Sequence, residues 1–427
     1  AAMRMRTEHK VGADWPFDYA ELEPYYVEAE RLVGVAGPEA PSERWRSAPY
    51  PLPAHALSPA SRTLADAGRT LGQNWGANAR AALSQAYDGR PPCNYCGACS
   101  RGCPRRDKGS VDQTFIRHAR ESGRCEVRAK CTVQELLHDR RGTLDGVRYL
   151  DSKGRRVTER ARMVVLAAGA IETPRILLLQ RSRWAPEGIG NDHGQVGRHF
   201  LETVFWFSVA LHPDPQRSFA GLPADAICWD FNRPDAIPGV LGGARFFPAT
   251  LDLGFQGPVS YATRLVEGWG AQHKQRMRQA LGHALAVGAI GESLPNAGSF
   301  VDLDPEAKDA HGMPLARIHS QVDEMACRRL RFMAQTCRDV LKAAGCGPLL
   351  QEGGSYDDFA STHVMGTCRM GLTAQDSVTN DLSQVHGWPN LLICDGSTFP
   401  SSGGGESPSL TIQALALRAI DRFVRAN

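Results

Sequence analysis

Met163-Val164-Val165-Leu166-Ala167-Ala168-Gly169-Ala170-Ile171-Glu172-Thr173-Pro174-Arg175-Ile176-Leu177-Leu178-Leu179 reads as an apolar run, a glycine turn and a second apolar run. The first run suits a strand buried on both faces, as in a parallel sheet. Gly169 lets the chain turn closely past a ligand, and Thr173-Pro174 predicts a helix with proline in its first turn. A strand, a tight turn and a helix in this order place a helix N-terminus where a phosphate or ribose can sit. The same turn also occurs in many α/β proteins that bind nothing there. The stretch therefore sets the fold class, α/β with an α+β character overall, more firmly than it sets a function.

Upstream of it, Val127 to Leu137, Gly146 to Leu150 and Arg156 to Thr158 alternate like strands, with Asp151-Ser152-Lys153-Gly154 as a turn. Ser110 to Glu121 reads as helical. Residues 1–90 show little strand alternation: a helix is expected over Val27 to Val33 and another over Ser61 to Gly72, with a Pro-, Ser- and Ala-rich stretch between them. They are expected to wrap a core formed elsewhere. Downstream, Phe200 to about Val322 breaks into short strands punctuated by Pro and Gly, with one basic helix around Gln272 to Gly282 and a hairpin turn at Asp309-Ala310-His311-Gly312. Glu324 to Ala344 is amphipathic, with Leu330, Met333, Cys337, Val340 and Leu341 on one face, read as core packing. The expected organisation is a covering segment (1–90), a discontinuous nucleotide-binding domain (91–198 and 361–427) and an antiparallel-sheet substrate-binding domain (199–360).

The 427 residues can bury a large core, and 42% apolar with 22% charged residues is ordinary for a globular enzyme. A net charge of +3 is nearly balanced and argues against nucleic-acid binding. No apolar run approaches the roughly 20 residues of a membrane span. A soluble, cytoplasmic protein is the favoured expectation, with periplasmic export through a partner or an upstream segment as the alternative.

Four of the twelve cysteines lie in Cys93-Asn94-Tyr95-Cys96-Gly97-Ala98-Cys99-Ser100-Arg101-Gly102-Cys103-Pro104. The C-x2-C-x2-C-x3-C-P spacing is the run by which bacterial ferredoxins hold an iron–sulfur cluster, and makes Cys93, Cys96, Cys99 and Cys103 candidate metal ligands. In two-cluster ferredoxins the fourth cysteine serves the other cluster, and this chain has no second run. A structural zinc, local disulfides and free thiols in a tight turn are the other readings.

The C-terminal segment from Ser361 carries His363-Val364-Met365-Gly366-Thr367-Cys368-Arg369-Met370-Gly371, then Asp395-Gly396-Ser397-Thr398-Phe399-Pro400. It continues through Gly403-Gly404-Gly405 to Ser407-Pro408-Ser409-Leu410-Thr411-Ile412-Gln413 and an apolar-striped helix. Together with Gly169 to Ser182, and with Asp14-Trp15-Pro16 and Leu22-Glu23-Pro24-Tyr25-Tyr26 near the start, these pieces resemble the glucose–methanol–choline (GMC) oxidoreductases in the right order along the whole chain. The cysteine run is similar to a bacterial branch that includes large subunits of gluconate, fructose and glucose dehydrogenases, although the cysteine spacing differs.

The resemblance implies an FAD-dependent enzyme that oxidises a CH–OH group of an alcohol, sugar or polyol, with an acceptor other than NAD(P). A small subunit and a cytochrome c are the implied partners, and oxidase and dehydrogenase chemistry both stay open. It implies His363 as general base, with Ser407 on the same substrate oxygen. FAD contacts are implied for Val133, Gly169, Ala170, Thr173, Asp395, Gly396, Pro408, Ser409 and Leu410, and the Gly403–Gly405 turn is expected to bring backbone up to the flavin ring. Without the resemblance, His363 reads equally as a buried histidine bridging two loops and Asp395 as a cap. Two departures stand out. The family's opening strand, Gly-x-Gly-x-x-Gly and helix are not found, which predicts a Rossmann-like domain without its first βαβ unit. The alternative function is therefore a truncated, non-catalytic relative or one half of a split enzyme. Ser407 also stands where many relatives have Asn, a longer and more directional partner.

Overall fold

A computed structural model describes residues 2–39, 45–359 and 363–426. Ser361, Thr362 and Asn427 of the C-terminal segment lie outside the described residues, as do residues 40–44 of the Pro-, Ser- and Ala-rich stretch. The architecture is mixed α/β. Its largest sheet is antiparallel and six-stranded, in the order Leu349–Gly354, Val204–Leu211, Ala284–Gly291, Ala244–Pro248, Ala226–Cys228, Trp75–Ala77. The last strand comes from the first ninety residues, where the sequence gave no alternating signal; at three residues it is too short to show a period.

One face of that sheet packs on the helices Pro59–Thr70 and Glu324–Ala343. Leu330, Met333, Cys337 and Val340 are completely buried there, as the stripe predicts. Across the strands Ala244, Phe246, Val287 and Ala289 point to the same core, so alternation turns Arg245 and Phe247 to the opposite face. Part of that opposite face is covered by Ala249, Phe255 and Tyr261 from the excursion after the Ala244–Pro248 strand.

Val164–Leu166 pairs in parallel with Trp388–Ile393, so the apolar run does build a parallel unit. It is not buried on both faces. Val164 and Leu166 enter a core with Leu177 and Ile393, but Val165 is 40% exposed and Ala167 and Ala168 are open. The helix that follows begins at Gly169, not at Thr173, and runs to Leu179. Pro174 therefore sits inside it and has no N–H to offer the carbonyl of Ala170. The hydroxyl of Thr367 lies within hydrogen-bond distance of that carbonyl, at 2.9 Å, and also of the Gly366 carbonyl, so its one proton is shared between the two. The hairpin Phe300–Lys308/Pro314–His319 clamps the same helix: Arg175 donates to the Pro314 carbonyl (2.7 Å) and to Asp309 (2.6 Å) in the expected turn. The Arg175 guanidinium holds the Asp309 carboxyl down to about 2.

The C-terminal helix Ser409–Ala426 packs along Tyr19–Val33. Tyr25 donates to Asp421 (2.6 Å), Tyr26 shares a hydrogen bond with Thr411 (2.7 Å), and the buried Arg418 donates to Glu21 (2.6 Å). The N-terminal segment thus fixes the helix whose start borders the candidate site. Trp15 adds a bond to Ser401 in the turn that precedes it (2.8 Å).

Candidate active site

Three separated sequence pieces converge on the N-terminus of the Gly169–Leu179 helix. Asp395 is nearly buried, and its carboxylate accepts from the Gly169 N–H (2.9 Å), the Thr173 hydroxyl (2.6 Å) and the Ser397 N–H (2.8 Å). Gly366 N–H donates to the Gly396 carbonyl (3.1 Å), and Cys368 and Met370 N–H groups donate to Ser397 and Thr398 (2.9 and 2.8 Å). Gly169, Ala170, Thr173, Asp395 and Gly396 are therefore one assembly. Within it, the side chain of Asp395 caps a helix and a turn; what it exposes to a ligand is the backbone it organises. Gly169 has φ +84, and a Cβ there would meet nothing within 4 Å, so the turn faces open space. Val133 stands apart on the Thr132–His138 strand, 42% exposed.

The second group sets His363 at the start of a two-stranded ladder that lies just ahead of the Val204–Leu211 strand of the six-stranded sheet. Val364–Met365 pairs with Leu201–Glu202, and the Thr203 N–H donates to the His363 carbonyl at 3.3 Å. Burial, reinforced by the Arg245 charge, pulls the imidazole down to about 4, so His363 is neutral at physiological pH and can accept a proton. Arg245 is 9% exposed on the Ala244–Pro248 strand; its Nε donates to the Gly405 carbonyl (2.6 Å) and its Nη2 to Ser407 Oγ (3.2 Å). Ser407 itself is exposed, and Pro408, Ser409 and Leu410 open the C-terminal helix, with Ile412 N–H donating to the Pro408 carbonyl (2.9 Å).

The Gly403–Gly405 turn differs from expectation. A Cβ on Gly404 would lie 1.9 Å from the Asn232 carbonyl, and one on Gly405, at φ +87, would lie 2.1 Å from the Ile290 carbonyl. The absent side chains let this turn lie directly on the backbone of the large sheet. The bare glycines serve that contact.

The cysteine run does not assemble a metal site. Among the described residues no group of three or more His, Cys, Asp or Glu side chains is placed to hold a metal ion. The loop is wound by positive φ at Tyr95, Gly97 and Gly102. Cys96 is exposed, and Cys103 donates to Asp107 (2.8 Å). Burial pushes Cys93 up to about 12 and raises Cys99, so without a metal both stay protonated thiols. All twelve cysteines are free thiols, so local disulfides are excluded as well.

The face left open by Val165, Ala167 and Ala168, next to the helix starting at Gly169, offers apolar surface and backbone N–H groups together. That combination suits a planar aromatic cofactor carrying phosphates. Comparison with known proteins gives the class. Residues 1–203 and 295–416 match the sequence profiles of the GMC oxidoreductases, and the chain belongs to that family. It is 30% identical over 436 residues to 2-methyl-1,2-propanediol dehydrogenase of Mycolicibacterium austroafricanum, across 99% of this chain and 77% of that protein. It is 27% identical over 436 residues to the fructose dehydrogenase large subunit of Gluconobacter japonicus, across 99% of this chain and 76% of that one. The pyridoxine 4-oxidase of Mesorbium loti shares the fold, with a TM-score of 0.61 at 14% identity over 98% of this chain and 82% of that structure. The chain is thus a GMC-type oxidoreductase whose relatives are alcohol and sugar dehydrogenases and oxidases. Among the described residues, no helix is long and apolar enough to cross a membrane.

Proposed function

We propose that the protein oxidises a CH–OH group of an alcohol, sugar or polyol with FAD as cofactor and His363 as general base. The observation that carries this reading is the buried, neutral imidazole of His363, which feels the charge of Arg245, itself bonded to Ser407, in the segment whose Gly366 N–H joins the assembly of Gly169, Thr173 and Asp395. When bound, FAD supplies the two-electron acceptor, taking hydride at flavin N5. The residues that would hold it are Gly169, Ala170 and Thr173 at one helix start, Asp395 and Gly396 through their backbone, Pro408, Ser409 and Leu410 at the other helix start, and Val133 from the separate, exposed Thr132–His138 strand.

The work of the chain is on the substrate oxygen. His363 accepts the hydroxyl proton while the carbon–hydrogen bond breaks and the C=O bond forms, and the Ser407 hydroxyl orients that oxygen. The first-turn N–H groups of the helix from Ser409 favour negative charge in front of them. One relative, the fructose dehydrogenase, is a large subunit, which supports a partner subunit for this chain too; the electron acceptor in this reading is a cytochrome rather than NAD(P).

The test is reconstitution with FAD followed by anaerobic mixing with a panel of alcohols, polyols and sugars. Bound flavin absorbance that bleaches with a CH–OH donor supports the reading; no bound flavin after reconstitution supports the non-catalytic or split-enzyme alternative. His363→Ala should slow flavin reduction about 10²-fold or more, the usual size of an acid–base contribution. A rate close to that of the unsubstituted protein would remove His363 from the chemistry.

A further inference from the structure

We propose that Arg245 is the second half of the proton-handling machinery. It fixes the Ser407 hydroxyl as a hydrogen-bond donor toward the substrate and places a permanent positive charge beside the oxygen that loses its proton. The proposal rests on the reading of His363 as general base.

A guanidinium has only donors. The Nη2–Ser407 contact of 3.2 Å therefore consumes a lone pair of Oγ, and the hydroxyl proton of Ser407 must point elsewhere. Ser407 is exposed, so that proton is free to be given to a substrate oxygen. Ser407 is thereby a donor to the substrate oxygen, and acceptance of the substrate proton falls to His363 alone. The geometry of Arg245 is itself fixed: Nε is anchored on the Gly405 carbonyl at 2.6 Å, and the Gly405 turn is pressed on the Ile290 backbone. The rings of Trp229 and Phe247 flank the guanidinium at 5.7 and 5.4 Å, which excludes water and lets its charge act over a low-dielectric path.

This arrangement lets a side chain as short as serine present a donor to the substrate. A lone hydroxyl rotates freely, but one held by a rigid Arg fork on the adjacent strand has a set direction. In the reaction the O–H proton passes to His363, hydride leaves the same carbon, and the oxygen becomes a carbonyl. Negative charge gathers on that oxygen if the proton leaves ahead of the hydride, and Ser407 and Arg245 are the donors and the charge that meet it. The same positive charge disfavours the imidazolium of His363 in the resting site and so keeps the base neutral. Arg245 lies in the pocket-forming domain, inside an ordinary-looking strand, and no sequence motif marks it.

The test uses the FAD-loaded protein and the Arg245→Gln, Arg245→Lys, Ser407→Ala and Arg245→Gln/Ser407→Ala variants. Flavin reduction is followed in single turnovers at saturating donor across pH, and the His363 imidazole is titrated by NMR in each. Arg245→Gln should reduce the rate about 10²-fold, the scale of losing one preorganised donor to a developing oxyanion. Arg245→Lys should recover part of that loss, and the double variant should be little slower than Arg245→Gln alone because the two residues act as a unit. The acid limb of the rate and the His363 titration should both move upward from about 4 in Arg245→Gln. Reduction within about threefold of the unsubstituted rate in Arg245→Gln, or losses that multiply in the double variant, would overturn the proposal. A rate loss shared equally by Arg245→Lys with no movement of the His363 titration would assign Arg245 a purely structural role and overturn it too. If the unsubstituted protein binds FAD but no alcohol or sugar reduces it, the proposed function fails first and takes this proposal with it.

Discussion

Thr367→Val isolates one hydrogen bond that the fold cannot easily replace. Thr367 is completely buried, holds φ +79, and its hydroxyl proton is shared between the carbonyls of Ala170, at 2.9 Å, and Gly366. That carbonyl would normally receive the N–H of residue 174, but residue 174 is proline. Valine keeps the volume, the β-branch and the backbone strain of threonine and removes only the hydroxyl. The Ala170 carbonyl is then left buried without a side-chain donor, which costs about 1–3 kcal/mol. The cause can be checked with a second substitution. Pro174→Ala supplies the missing N–H, so it should be more favourable in the Thr367→Val background than in the unsubstituted chain by about 1–2 kcal/mol. Urea unfolding of the four proteins, with slopes compared to confirm that the transition is unchanged, gives that coupling directly. A Thr367→Val cost under about 0.5 kcal/mol together with no coupling would refute the account of how this helix accommodates its proline.

Asp395→Asn should destabilise the protein by about 2–4 kcal/mol, because an amide cannot serve all three of the donors from Gly169, Thr173 and Ser397 that the carboxylate serves; an unchanged denaturation midpoint would contradict this. Glu292 is fully buried, accepts from Gly243 N–H at 3.1 Å, and burial raises its carboxyl from 4.5 to about 7. The unfolded chain therefore ionises before the fold does, so this group's contribution is fully present below about pH 4.5 and is lost as pH rises through about 7. Glu292→Gln should flatten that slope and leave the variant the more stable of the two at pH 8 by up to about 3 kcal/mol; parallel stability curves for the two proteins would count against it. Arg329 is also fully buried, donating to the Gly242, Leu241 and Glu292 carbonyls. Arg329→Met should cost about 3–5 kcal/mol through three abandoned carbonyls, measured by the same unfolding curves, and a near-neutral result would show that those carbonyls find other donors.

The local pieces of this protein were legible because each is a short-range pattern. The amphipathic stripe of Glu324–Ala343, the hairpin turn at Asp309–Gly312 and the parallel-strand run at Val164–Leu166 follow from periodicity and turn chemistry alone. His363, Asp395 and Ser407 were legible through their place in family-like segments, and the assembled family membership bears that resemblance out. Some local signals misled. Pro174 marked a helix start because the sequence cannot show that a hydroxyl from residue 367 lies against the Ala170 carbonyl that its missing N–H leaves open. The cysteine spacing suggested a cluster, but spacing alone does not say how the side chains come together, and among the described residues no group of three or more ligands is placed to hold a metal.

The sequence by itself determined the fold class, the order of the motifs and the residue types at the site, since these depend on periodicity and on chemistry carried within a few neighbouring residues. The tertiary structure alone decided which partners those residues meet. The Trp75–Ala77 edge strand, the capping of Gly169 by Asp395 and the pairing of Arg245 with Ser407 join positions about 150 to 230 residues apart. Contacts between such distant positions depend on where the sheet and helices come to rest, and no local pattern encodes that. Ser407 shows the difference most clearly: in the sequence it is one hydroxyl, and only the fold brings the Arg245 guanidinium to donate to it.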